Sequence, residues 1–220
     1  GFGTKYADPS TLPAGRSRRN SPAFSPSGDD IAVAHHNSPY ISVYPWSSGF
    51  GTKYADPSTL PANIPWGGVA WSPDGADIAV AHQSSPFVTV YPWSSGFGTK
   101  YADPSSGGGG AGPGVPSTGS NVTWSPDGAT IVVSNWNTWP YINAYPWSSG
   151  FGTKYSGPTT AAVSDSYDAS FTPDGADIAV ANSVSPCVDV YAWSSGFGTK
   201  YADPSTLPAS GTTHLIFSPG

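Results

Sequence analysis

The chain has 220 residues, of which only 10% are charged, and a formal net charge of -6 carried by fourteen acidic residues that are all aspartate. That balance excludes the clustered cationic surface of a nucleic-acid-binding protein. The single cysteine, Cys187, excludes an intrachain disulfide, and no stretch approaches the roughly 20 apolar residues of a membrane-spanning helix. Good helix formers are scarce, whereas Gly (27), Pro (24) and 14% aromatics point to an all-β chain with many turns.

A hexapeptide, Gly49-Phe50-Gly51-Thr52-Lys53-Tyr54, recurs with starts at Gly1, Gly49, Gly96, Gly150 and Gly196. Between copies stands an aromatic–Ser/Thr–Pro marker, at Phe24, Trp71, Trp124, Phe171 and Phe217. Near-identity at a spacing of 46 to 54 residues marks a repeat array. The whole chain, 1–220, therefore reads as one repeat domain. It lacks methionine and opens partway through a repeat, which suggests a processed product or an excerpt of something longer. No signal-peptide pattern is present.

In chain order, Phe2, Thr4 and Tyr6 alternate with small or charged residues, the period of a half-exposed strand, here d. The recurring lysine (Lys5, Lys53, Lys100, Lys154, Lys200) suits an outer edge. Arg16, Arg18 and Arg19 fall in a solvated loop. Strand a spans 21–26 and ends in a tight turn, best preserved as Pro73-Asp74-Gly75. Strand b (30–35, 77–82, 130–135, 177–182) is apolar with small alanines, as fits a strand packed on both faces. Strand c (40–44, 87–91, 141–145, 187–191) follows, and a Trp-containing turn leads into the next d. Cys187 stands where other copies have Tyr40, Phe87 and Tyr141, so it reads as a packed strand residue rather than a nucleophile. Residues 105–121, with Gly107 to Gly110, form a Gly-rich loop insertion.

Four strands per repeat joined by short turns predict a β-propeller of four-stranded blades, with four complete blades and terminal strands of a fifth. The leftover strands lie at the two ends, carrying Phe2, Thr4 and Tyr6 and Leu215 and Phe217. They either form a two-stranded remnant or pair with another copy of the chain, and the second is preferred, since it makes a homo-oligomer or fibre through shared strands.

The units Trp71-Ser72-Pro73-Asp74-Gly75 and Val88-Thr89-Val90-Tyr91 resemble WD-repeat and YVTN-type β-propeller blades. Tyr44, Tyr91, Tyr145 and Tyr191 fall where that blade usually ends in Trp. The next position, usually Asp, is Pro45, Pro92, Pro146 or Ala192, and no Gly-His pair precedes strand a. Near-identical repeats of this kind are similar to those of tailed-bacteriophage tail or virion proteins and bacterial surface proteins. The resemblance implies a structural or adhesive role at an extracellular or virion surface.

Near-identical repeats place the same groups on every blade, whereas catalysis needs unlike groups at one place. His35 and His82 are replaced by Asn135 and Asn182, and His36 and His214 have no spaced ligand partners, so no metal is expected. No glycine-rich loop sits between a strand and a helix, and no cofactor is expected. No His/Asp cluster unique to one blade emerges. Trp46, Trp93, Trp147 and Trp193, one per blade in the c–d turns, either pack between blades or form a ring of platforms for surface glycans. Trp66, Trp136 and Trp139 are not repeated. The sequence thus predicts no enzyme. It predicts a structural or adhesive propeller that binds itself or surface glycans, the alternative being a lectin-like scaffold for carbohydrate or protein.

Overall fold

A computed structural model of the protein describes residues 3–17, 21–104, 114–160, 164–208, 211 and 213–217. Its strands are β1 (Ala23–Phe24), β2 (Asp30–Ala34), β3 (Ile41–Pro45), β4 (Val69–Trp71), β5 (Asp77–Ala81), β6 (Val88–Pro92) and β7 (Gly119–Trp124). β8 (Thr130–Asn135), β9 (Ile142–Pro146), β10 (Ser166–Phe171), β11 (Asp177–Asn182), β12 (Val188–Trp193) and β13 (Phe197–Lys200) follow. They form four antiparallel sheets in simple chain order, β1-β2-β3, β4-β5-β6, β7-β8-β9 and β10-β11-β12-β13.

Each a–b turn is built by its own side chains. Ser72 Oγ donates to Asp74 Oδ1 (2.6 Å) and accepts from Asp77 N (2.9 Å), and Gly75 takes φ 73°. Strand β5 is buried along its whole length, because the alanines let neighbouring blades close on both faces. Ala79, Ala81 and Val88 of the second blade share one core with Val122, Trp124 and Ile131 of the third. Inner strands pack in succession, β1 on β4, β4 on β7 and β7 on β10.

Strand c begins one residue later than the sequence suggests. Tyr40, Phe87, Tyr141 and Cys187 take positive φ (72°, 69°, 40° and 68°) and close the b–c turn instead of joining the ladder. Cys187 is buried there.

Strand d differs more. In the first three blades it runs beside strand c but is reduced to isolated bridges, Trp46 with Phe50, Trp93 with Phe97 and Trp147 with Phe151. Only the fourth blade has a regular fourth strand, β13. The cause is a single position. Pro45 and Pro92 turn their carbonyls toward d, accepting from Gly51 N and Gly98 N (2.8 Å each), so the missing proline N–H is the one that would have faced d. Ala192 restores that donor in the fourth blade.

At the ends, Phe2 lies outside the described residues, and Thr4 and Tyr6 are exposed in a segment without strand. Tyr6 packs edge-on against Trp46 (5.3 Å) as Tyr54 does against Trp93 (5.0 Å). Leu215 and Phe217 lie half-buried along the fourth blade, also without a ladder. Of the expected loop insertion, 105–113 lie outside the described residues and Gly119–Asn121 belong to β7.

Candidate functional site

The repeats carry a different residue in every copy at the position three before the aromatic marker, which reads Ser21, Gly68, Asn121, Asp168 and His214. Register irregularities at Ser120 in β7 and Tyr167 in β10 each add one residue to the inner strand. Such bulges re-aim the side chain that follows, here Asn121 and Asp168. Asn121 Nδ2 donates to Asp168 Oδ1, which also accepts from Ala169 N (2.9 Å). Asp168 Oδ2 accepts from Leu215 N (2.8 Å) and meets His214 Nδ1 at 2.8 Å. Burial pushes the Asp168 carboxyl above the ordinary carboxylate range, while Leu215 N, His214 and Ala169 N pull it back in part.

Asp168 is 3% exposed and the His214 side chain is open to solvent. A carboxylate on Nδ1 fixes the tautomer with its lone pair on Nε2, the arrangement of an oriented general base. No such cluster is legible along the chain, because Asn121, Asp168 and His214 lie 46 or 47 residues apart and share only their place in the repeat. Aligning the repeats on the aromatic marker exposes the signal.

Three unrepeated aromatics run in edge contacts to Tyr167, next in the chain to Asp168. Gly67 approaches β7 so closely that a Cβ would lie 2.6 Å from Asn121 N, which brings the neighbouring Trp66 to the third blade. Trp66 meets Trp136 edge-on (5.1 Å), and Trp136 meets Tyr167 (5.8 Å), the residue before Asp168. Each is half-buried. Among the described residues no cluster of His, Cys and Asp could hold a metal ion.

The four repeated tryptophans lie in the seams between blades. Trp93 Nε1 donates to Asp30 Oδ2 (3.0 Å) and Trp147 Nε1 to Asp77 Oδ2 (2.8 Å), each carboxylate belonging to the preceding blade. Their rings meet Trp71 and Trp124 edge-on, and both are buried. Trp46 packs on Tyr6, Phe24 and Phe50, and Trp193 on Tyr155, Phe171 and Phe197; both are half-buried.

No protein-family model matches the sequence, and no curated protein matches it. Solved structures do. A periplasmic gluconolactonase of Pseudomonas aeruginosa aligns over 86% of this chain and 57% of its own, at 17% identity and TM-score 0.61. A putative 6-phosphogluconolactonase from Bacteroides uniformis aligns over 82% and 52%, at 17% identity and TM-score 0.55. The dihydro-heme d1 dehydrogenase NirN aligns over 90% and 39%, at 17% identity and TM-score 0.60. The chain thus spans about half the length of the structures it matches.

The fold is an all-β propeller fold, as expected, and the likeness at this identity shows the fold alone. None of the three is named as a virion or adhesion protein. The expectation of a non-catalytic structural, adhesive or lectin-like module, and with it the exclusion of an enzyme, is corrected. These three structures are enzymes by name, and this chain assembles the unlike groups that repeats alone do not supply.

Proposed function

We propose that this propeller is a hydrolase of cyclic esters of the sugar-lactone class, with Asp168 and His214 as its base. The observation that carries the reading is the 2.8 Å contact of Asp168 with His214 Nδ1 on a buried carboxylate that accepts from three further donors. The names of two of the matched structures supply the substrate class. Asp168 holds the imidazole, and Nε2 takes a proton from water as the oxygen attacks the lactone carbonyl. The ring C–O bond then breaks, and the imidazolium returns the proton to the departing alkoxide, giving the open hydroxy acid. An extracytoplasmic location accompanies this reading, since one of the two lactonase-named matches is periplasmic.

The test is proton release from D-glucono-1,5-lactone measured above its spontaneous hydrolysis. His214→Ala should lower kcat/KM by about 10²–10⁴, the usual contribution of a general base, and Asp168→Asn should do nearly the same. His36→Ala, which alters a histidine outside this cluster, should change nothing. A wild-type rate equal to the spontaneous one, or full activity in His214→Ala, overturns the reading.

A further inference from the structure

The repeats serve as an internal control for the aromatics beside Asp168. At the place of Trp66 the other copies have Arg19, Gly119 and Ser166. At that of Trp136 they have His36, Gln83 and Ser183, and at that of Tyr167 they have Asn20, Gly67 and Ser120. The blades therefore form without tryptophan or tyrosine at these positions, whereas the seam tryptophans recur. Yet the second, third and fourth blades each send one aromatic to a single cluster, with Trp136 in the middle. The cluster reaches, through Tyr167, the residue before Asp168, whose carboxylate meets the His214 imidazole of the terminal segment.

We infer that Trp66, Trp136 and Tyr167 are the platform on which the ring of the substrate lies, with Trp136 the principal contact. An aromatic wall beside a few fixed polar groups suits a compact ring that has C–H bonds on one face and hydroxyls around its edge. An open-chain acid offers no such face. The platform thus holds the closed lactone in preference to its hydrolysed product, which favours release after ring opening. The choice of a lactone ring rests on the function proposed above, but the binding test does not depend on turnover.

The probe is D-glucono-1,5-lactam, a ring analogue that the proposed hydrolysis does not open readily, measured by isothermal titration calorimetry against sodium D-gluconate. Wild type should bind the lactam more tightly than gluconate. Trp136→Ala should weaken lactam binding by about tenfold, the scale of one aromatic contact, and raise KM for the lactone more than it lowers kcat. Tyr167→Leu should weaken binding in the same direction and serves if Trp136→Ala fails to fold. Trp139→Ala, which alters an exposed unrepeated tryptophan, should bind as wild type does. His214→Ala should keep lactam affinity within about twofold while losing turnover. Unchanged lactam affinity in both folded platform variants, or no lactam binding by wild type, overturns the platform. Binding that depends on Trp136 in a protein without lactone turnover keeps the platform and removes the hydrolytic reading instead.

Discussion

At the end of each strand b a buried side chain meets one on strand c, and the two change together from blade to blade. His35 Nε2 contacts Ser42 Oγ (3.0 Å) and His82 Nε2 contacts Thr89 Oγ1 (2.9 Å), whereas Asn135 pairs with Asn143 (2.6 Å) and Asn182 with Asp189 (2.6 Å). Lys154 and Lys200 extend the last two pairs, to Asn143 (2.9 Å) and Asp189 (3.0 Å). Burial lowers the His82 pKa to about 4, so the buried ring stays neutral. The unfolded chain, with an ordinary imidazole, binds the extra proton between about pH 4 and 6.5. Stability is therefore full above pH 6.5 and is lost as pH falls through that window, at up to about 1.4 kcal/mol per pH unit. Transplanting the third blade's pair as His82→Asn with Thr89→Asn should leave Tm at pH 7 nearly unchanged. It should also flatten the decline of Tm between pH 6.5 and 4, followed by scanning fluorimetry. An equally steep acid decline would assign that sensitivity to other groups.

The regular fourth strand depends on one backbone donor. Ala192→Pro should convert β13 into the isolated bridge seen where Pro45, Pro92 and Pro146 stand, at a cost of about 1 kcal/mol for the lost hydrogen bond. Amide exchange of Phe197–Lys200 should accelerate while β11 keeps its protection. Unchanged exchange at those amides would mean that side-chain packing, not the ladder, orders the strand. The seams follow a second element-scale rule, in which a tryptophan of one blade donates to the aspartate that opens strand b of the blade before. Where Asp30 and Asp77 accept, the third blade has Thr130, and its following seam relies on the packing of Trp193 against Tyr155 and Phe171.

In the whole molecule, stability is a sum over blades and their shared faces. The aromatic closing strand a is 8% exposed at Trp71, 7% at Trp124 and 7% at Phe171, but 51% at Phe24. The inner strand of the first blade is thus less covered than those of the others, and β1 has two residues where β7 and β10 have six. Hydrogen exchange should release Asp30–Ala34 and Ile41–Pro45 well before Thr130–Asn135 and Ile142–Pro146. Equal protection of the first and third blades would mean that the array opens as one unit. Asn121 and Asp168 of the candidate site lie on the inner strands of the better-covered third and fourth blades.

The sequence by itself determined the repeat, the four b–c hairpins, the Asp-Gly turns and the apolar strand b. All of these rest on neighbours along the chain, where period and turn chemistry decide the outcome. It also marked Trp66 and Trp136 as departures from the repeat. The prolines that weaken strand d were visible, but their effect depended on which way one carbonyl faces, which the pairing of β2 with β3 sets. Only the tertiary structure decided that Asn121, Asp168 and His214 meet. Asn121 and Asp168 come from β7 and β10 and His214 from the terminal segment 213–217, and two bulges turn Asn121 and Asp168 to a common point. Local pattern fixes how each strand forms, whereas the approach of one blade to the next places unlike residues within hydrogen-bonding distance.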